Sequence, residues 1–131
     1  MEGSSEIMDI NAYWKAVLKQ DADKMRSFFH KDAYVNWHNT NEHFTAEEFI
    51  RANCEYPGDW EGEIQRIETV GDLFITAVHV YSSDEIQKLS FHVTSFIKVK
   101  DEKIAAVDEY WGDDGEAPEW RSEKKIGTKI F

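Results

Sequence analysis

Ile104–Arg121 reads IAAVDEYWGDDGEAPEWR. Its first half predicts a strand that sets a carboxylate, Glu109, and an indole, Trp111, on one face, because side chains two apart share a face of a strand. Its second half predicts an acidic turn, Asp113-Asp114-Gly115-Glu116, followed by Pro118 and a second tryptophan, Trp120. The turn lacks the ligand spacing of an EF-hand and reads as a solvated, self-repelling segment.

Upstream of this stretch the chain is β in character from Gly62 onward. Strands are predicted over Glu63–Val70, Leu73–Ser82, Ile86–Lys100 and Lys103–Gly112. Gly71-Asp72, Ser83-Asp84-Glu85 and Asp101-Glu102 separate them as hairpin turns. The N-terminal half is helical. Ile7, Ile10, Trp14, Val17 and Leu18 recur at helical spacing behind a Ser4 or Ser5 cap. Asp21 caps a second helix that runs through Phe29, ended by His30-Lys31-Asp32. A short strand, Tyr34–His38, and a turn, Asn39-Thr40-Asn41, follow. Thr45 and Glu48 then have the spacing of a capping box, with Phe44 and Phe49 at the positions of a hydrophobic staple. Pro57-Gly58 closes this half with a turn. Three helices with an early strand, then an antiparallel meander, predict an α+β fold with the helices on one face of a curved sheet.

Composition narrows the function. The 131 residues suit one domain with a real core, and 14% aromatic content requires a core, a pocket wall or an interface to hold it. A formal net charge of −11 repels phosphate backbones and anionic lipid, so neither nucleic acid nor a membrane surface is an expected partner. No apolar run approaches the ~20 residues of a membrane span. The N-terminus, MEGSSEIMDI, has no basic n-region with a long apolar run, and the single cysteine, Cys54, forms no internal disulfide. A cytoplasmic location is expected.

With this order of elements in view, the chain resembles the nuclear-transport-factor-two-like superfamily, which includes SnoaL-type polyketide cyclases, ketosteroid isomerase and limonene epoxide hydrolase. The closing hairpin FIKVKDEKIAAVDEYW (Phe96–Trp111) carries the likeness: an apolar strand, a tight turn, Lys-Ile, and a strand ending in an acidic-aromatic-aromatic triplet. The resemblance implies a single SnoaL-like domain over 1–131, a cone-shaped, cystatin-like roll. In it Val107, Glu109 and Trp111 face an internal pocket, as do Val93, Ser95 and Ile97 of the preceding strand, while Asp108 and Tyr110 face out. It also implies a homodimer through the outer sheet face.

The same comparison excludes particular chemistries. Trp37 stands where ketosteroid isomerase has its general-base aspartate, and Ser95 where it has its oxyanion-hole acid. An indole takes no proton from carbon, and a neutral serine is a weaker oxyanion donor than a carboxylic acid. The epoxide hydrolase's Asp-Arg-Asp arrangement finds no matching arginine on Ile86–Lys100. Glu109 resembles the acid/base carboxylate of SnoaL-type cyclases.

The residues suggest three functions. In the first, the cone binds a small apolar or aromatic molecule between Trp37, Trp60, Tyr56, Val93, Ser95, Val107 and Trp111. In the second, Glu109 acts as general acid/base of a cofactor-independent lyase, isomerase or cyclase, with His79 or His92, on opposite-running strands, as a weaker candidate base. In the third, the domain is a dimeric interaction module whose interior is filled by its own side chains. No metal or cofactor is expected. His38 and His43, five apart across a turn, match no zinc signature. Trp120 and Arg121 are candidate interface residues. The tail Lys124–Phe131, ending in Ile130-Phe131, is expected to dock on the body.

Overall fold

The computed structural model describes residues 8–84 and 88–131. Helices α1 (Ile10–Leu18) and α2 (Ala22–Phe28) come first, and α3 (Ala46–Cys54) follows two strands. The strands are β1 (Phe29–Trp37), β2 (Glu42–Thr45), β3 (Trp60–Val70), β4 (Leu73–Ser82), β5 (Ser90–Lys100) and β6 (Lys103–Asp113), and a short α4 (Glu119–Glu123) follows. The six strands form one sheet in the order β2-β1-β6-β5-β4-β3. Among the described residues β1 and β6 are the one parallel pair, and every other pair is antiparallel. The α+β architecture follows the sequence expectation.

α1, α2 and α3 each start on a side-chain cap, whereas Pro118 at the start of α4 makes none. Asp9 takes the Ala12 N–H at 3.0 Å and Asp21 the Lys24 N–H at 3.2 Å. Ser4, Ser5 and Ile7 lie outside the described residues, and it is Asp9 that caps α1. The capping box of α3 is complete. The Glu48 N–H donates to Thr45 Oγ1 at 3.1 Å, and the Thr45 N–H donates to Glu48 Oε1 at 2.9 Å. Ile10, Tyr13, Trp14 and Val17 form the buried stripe of α1.

Four expectations need correction. Phe29 leaves α2 and opens β1, where it pairs with Ile104 of β6, and His30-Lys31-Asp32 continue the strand across a register shift. Glu42–Thr45 pairs with β1 as an unforeseen edge strand. Trp60 to Gly62 belong to β3, which starts earlier than expected. Of the expected strand Ile86–Lys100, Ile86 lies outside the described residues and β5 runs from Ser90.

Register shifts between β1 and β6, at Ile64/Arg66 of β3 and at Lys98/Val99 of β5 bend the sheet so that it curls over the helices. Asp101 and Glu102 both take left-handed φ, at 49° and 69°, as a two-residue turn with the twist of a hairpin requires. The core between the layers holds Tyr13, Trp14, Met25, Phe49, Ile50, Ile97, Ile104 and Val107.

α1 seats on β3 at Gly62. A Cβ there would lie 2.9 Å from Leu18 Cδ1 and 3.0 Å from the His79 carbonyl oxygen. Gly62→Ala is therefore expected to destabilise by about 1–2 kcal/mol through overpacking, read as a lower urea midpoint. An unchanged midpoint would mean that Leu18 swings aside without cost.

Candidate functional site

Period-two alternation on β6 turns Val107, Glu109, Trp111 and Asp113 inward and Asp108 and Tyr110 outward, as their burial shows for the first three. Opposite them on β5, Ser95 pairs with Glu109 and Val93 with Trp111. Trp37, at the end of β1, pairs with Glu109 from the other side. Three strands thus bring three donors to one carboxylate. Trp37 Nε1 and Trp111 Nε1 donate to Glu109 Oε1 at 3.0 and 3.1 Å, and Ser95 Oγ donates to Oε2 at 2.6 Å. Glu109 is 1% exposed. Burial raises its carboxyl above the usual carboxylate range, and the bonds from Ser95, Trp111 and Trp37 offset part of that rise. The Tyr13 hydroxyl, also buried and without a hydrogen-bond partner among the described residues, is pushed well above its ordinary value by burial and then by the charge of Glu109.

Glu109 orients the two indoles, and the indoles wall a cavity of about 270 Å³. Its floor is Trp14, Val17 and Val80, all buried, with the Trp14 indole N–H donating to Thr76 Oγ1 at 3.1 Å. Its wall is an arc of rings: Trp37 against Trp111 (centroids 6.3 Å), Trp111 against Phe91 (5.9 Å), Phe91 against Trp60 (5.9 Å) and Trp60 against Tyr56 (5.5 Å). Edge-on and tilted contacts of this kind hold each ring by its neighbours. The helix side is tied by amides. Gln20 donates to the carbonyl oxygens of Asn53 and Tyr56 at 2.9 and 2.7 Å, and Asn53 donates to that of Val17 at 2.9 Å. Asn39, Thr40 and Asp113 supply polar groups at the exposed mouth.

Of the residues named from sequence, Trp37, Trp60, Tyr56 and Trp111 line the cavity. Val93, Ser95, Val107 and Glu109 do not: they are buried deeper, where Tyr13, Phe49 and the indoles fill the narrow end of the cone and push the open space toward its mouth. His79 lies on the opposite face of the sheet, since its neighbours Val78 and Val80 are the buried ones. His38 stacks on Tyr110 at 4.3 Å and bonds Asp108 at 2.8 Å, while His43 bonds Asn36 at 2.6 Å. Burial pushes Asp108 up, but the His38 and Asn36 bonds outweigh it and hold the carboxyl below its usual range.

Sequence reasoning missed Trp14, Phe91 and Asp113 as lining residues. The signal for the last two was the same alternation, continued two residues past Val93 and Trp111. The acidic run is therefore not a free turn: Asp113 ends β6 facing the cavity, and Asp114 bonds back to Ser90 and His92. The expected docking of the tail is not what is found. Ile130 and Phe131 are 91% and 96% exposed, because α4 buries no residue and carries the chain away from the core. Trp120 is exposed beside the Arg121 guanidinium, 5.4 Å from its ring. No helix of the described residues is long and apolar enough to cross a membrane.

The SnoaL-like domain family matches residues 10–107. Among solved structures, an NTF-2 like protein of unknown function from Burkholderia xenovorans LB400 is 23% identical with a TM-score of 0.73, covering 93% of this chain and 92% of its own. A candidate ketosteroid isomerase from Kribbella flavida DSM 17836 is 20% identical with a TM-score of 0.75, covering 92% and 86%. An LEH-like epoxide hydrolase of M. tuberculosis is 17% identical with a TM-score of 0.70, covering 86% of each chain. At these identities the likeness is one of fold.

Proposed function

We propose that this chain, which belongs to the SnoaL-like domain family, is a single domain that binds a small, largely apolar or aromatic molecule in its cone. The observation that carries the reading is the arc formed by Trp37, Trp111, Phe91 and Trp60, held by edge-on and tilted contacts around a cavity of about 270 Å³. An apolar cavity of about 150 Å³ admits benzene, so this one suits a molecule of one or two rings. Asp113 at the mouth and the net charge of −11 favour a neutral or cationic polar end over a carboxylate. Rings walling such a cavity also attract a cation over their faces.

Binding is favoured over proton transfer by the position of Glu109. The carboxyl has the raised pKa of a general acid, yet it does not line the cavity, and both its oxygens already accept hydrogen bonds. A homodimer through the outer sheet face, in the cytoplasm, completes the reading. Tyr34 and Tyr110, 39% and 49% exposed, are outward residues suited to such an interface. The lone Cys54 suits a reducing compartment.

The test uses the native tryptophan fluorescence, since four indoles line the cavity. Naphthalene, 1-naphthylmethylamine and 1-naphthoic acid serve as neutral, cationic and anionic probes. Saturable quenching is expected for the first two and at least about tenfold weaker binding for the acid, with Asp113→Asn narrowing the difference. Equal, non-saturating quenching by all three would defeat the reading. A native mass spectrum is expected to show a dimer and any co-purified molecule at once; a bare monomer would remove the interface argument.

A further inference from the structure

We propose that His79, His92 and Asp114 form a binding site for a divalent first-row transition ion, of which zinc is the representative, on the outer face of the sheet. The three side chains come from β4, from β5 and from the residue that follows β6. His79 and His92 are direct partners across the β4–β5 ladder. Their rings stack in parallel, with centroids 4.7 Å apart and planes 9° from each other. Asp114 is anchored by its backbone N–H, which donates to the Ser90 carbonyl oxygen at 3.0 Å, and this turns its carboxylate toward both imidazoles.

The ligand atoms already converge. One atom from each residue lies within 4.8 Å of the other two. His79 Nε2 is 3.6 Å from Asp114 Oδ2, and His92 Nδ1 bonds Asp114 Oδ1. A tetrahedral zinc ion with bonds of about 2.0–2.1 Å spaces its ligands by about 3.3 Å, so small side-chain rotations complete the site. The Ser90 hydroxyl donates to Asp114 Oδ2 at 2.5 Å and lies 2.9 Å from His79 Nε2. A bound ion would take over the position these protons bridge: each neutral imidazole would carry its proton on the other ring nitrogen, and Ser90 would keep its bond to the carboxylate and orient it.

Donor chemistry selects the ion. Two imidazoles and one carboxylate suit zinc, cobalt, nickel or copper, whereas calcium and magnesium take oxygen sets. In the single chain the side chains of His79, His92 and Asp114 are 30%, 47% and 28% exposed, which leaves an ion a path in and a coordination position for water. Gly112, the partner of His92 on β6, places no side chain over the pair. The site faces away from the aromatic cavity and does not depend on what that cavity binds.

The experiment uses the full chain without a polyhistidine tag, treated with a chelator and dialysed. Zn²⁺ is titrated against a chromophoric competitor, and Co²⁺ is added separately to read its visible absorption. The expected result is one Zn²⁺ per chain, a Co²⁺ spectrum of low coordination number, and a rise in melting temperature with Zn²⁺. His92→Ala and Asp114→Asn should each weaken binding at least about tenfold, while His38→Ala, which alters a histidine elsewhere on the fold, should leave it unchanged. Circular dichroism checks that the variants fold. Absent saturation, equal affinity in His92→Ala, or one ion per two chains would each overturn an intrachain site of these three ligands.

Discussion

Glu109→Ala is expected to destabilise the fold by about 3–5 kcal/mol, whereas Glu109→Gln should fall within about 1 kcal/mol of the parent or above it. Alanine removes the acceptor of Trp37 Nε1, Trp111 Nε1 and Ser95 Oγ together, and each buried donor left without a partner costs about 1–3 kcal/mol. Glutamine keeps one carbonyl oxygen for both indoles, and the Ser95 hydroxyl can turn to accept from the new amide. It also removes the cost of burying a charge. Urea titration at neutral pH separates the two variants. A glutamine variant as unstable as the alanine one would show that the negative charge itself is required, and the account of Glu109 as an acceptor would fail.

The pH dependence follows from the same burial. The native carboxyl sits above its ordinary value of 4.5, so between 4.5 and the raised native value the folded chain holds a proton that the unfolded chain releases. The stability from this group is fully present below 4.5 and is lost as pH rises through the native value. Glu109→Gln should remove that decline and leave the slopes due to other carboxylates in place.

Trp37→Ala is expected to weaken binding of the cationic naphthalene probe by at least about 30-fold, the roughly 2 kcal/mol typical of a central aromatic anchor. The loss is more than one wall. Trp37 also packs edge-on against Phe44 and Phe49 at 4.8 and 6.1 Å, and it shares Glu109 Oε1 with Trp111, so its removal frees the neighbouring indole as well. Trp37→Phe keeps an aromatic face and loses the N–H, and should retain most of the affinity. Trp120→Ala, outside the cavity and 56% exposed, should change nothing. Equal affinity in Trp37→Ala and the parent would mean that the probe binds elsewhere, which is fatal to the cavity reading.

The helices and hairpins were readable because their signals are local. Thr45 and Glu48 are three residues apart, and the Gly71-Asp72 turn separates strands by two; such contacts form whatever the rest of the chain does. Phe29 was misassigned because its helical stripe competes with a pairing to Ile104, seventy-five positions away, that leaves no local mark. The site divides along the same line. Alternation on the last strand told which residues share Glu109's face, but not that Trp37, from the parallel neighbour, would meet it there. Nor did it tell that Tyr13 and Phe49 would fill the narrow end and leave the open volume to Trp60, Phe91 and Asp113.

The cluster on the other face is the sharper case. His79, His92 and Asp114 have no metal-ligand spacing along the chain, and only the β4–β5 register and the return of Asp114 to Ser90 bring them together. The sequence by itself determined most of the elements, their α+β class and which residues of the last strand share a face, because periodicity and caps act over a few residues. The position of the cavity, the acceptor role of Glu109 and the His-His-Asp cluster were decided only by tertiary structure. They depend on strand register and on which bulky side chain reaches a given volume first, and both are outcomes of packing between residues far apart in the chain.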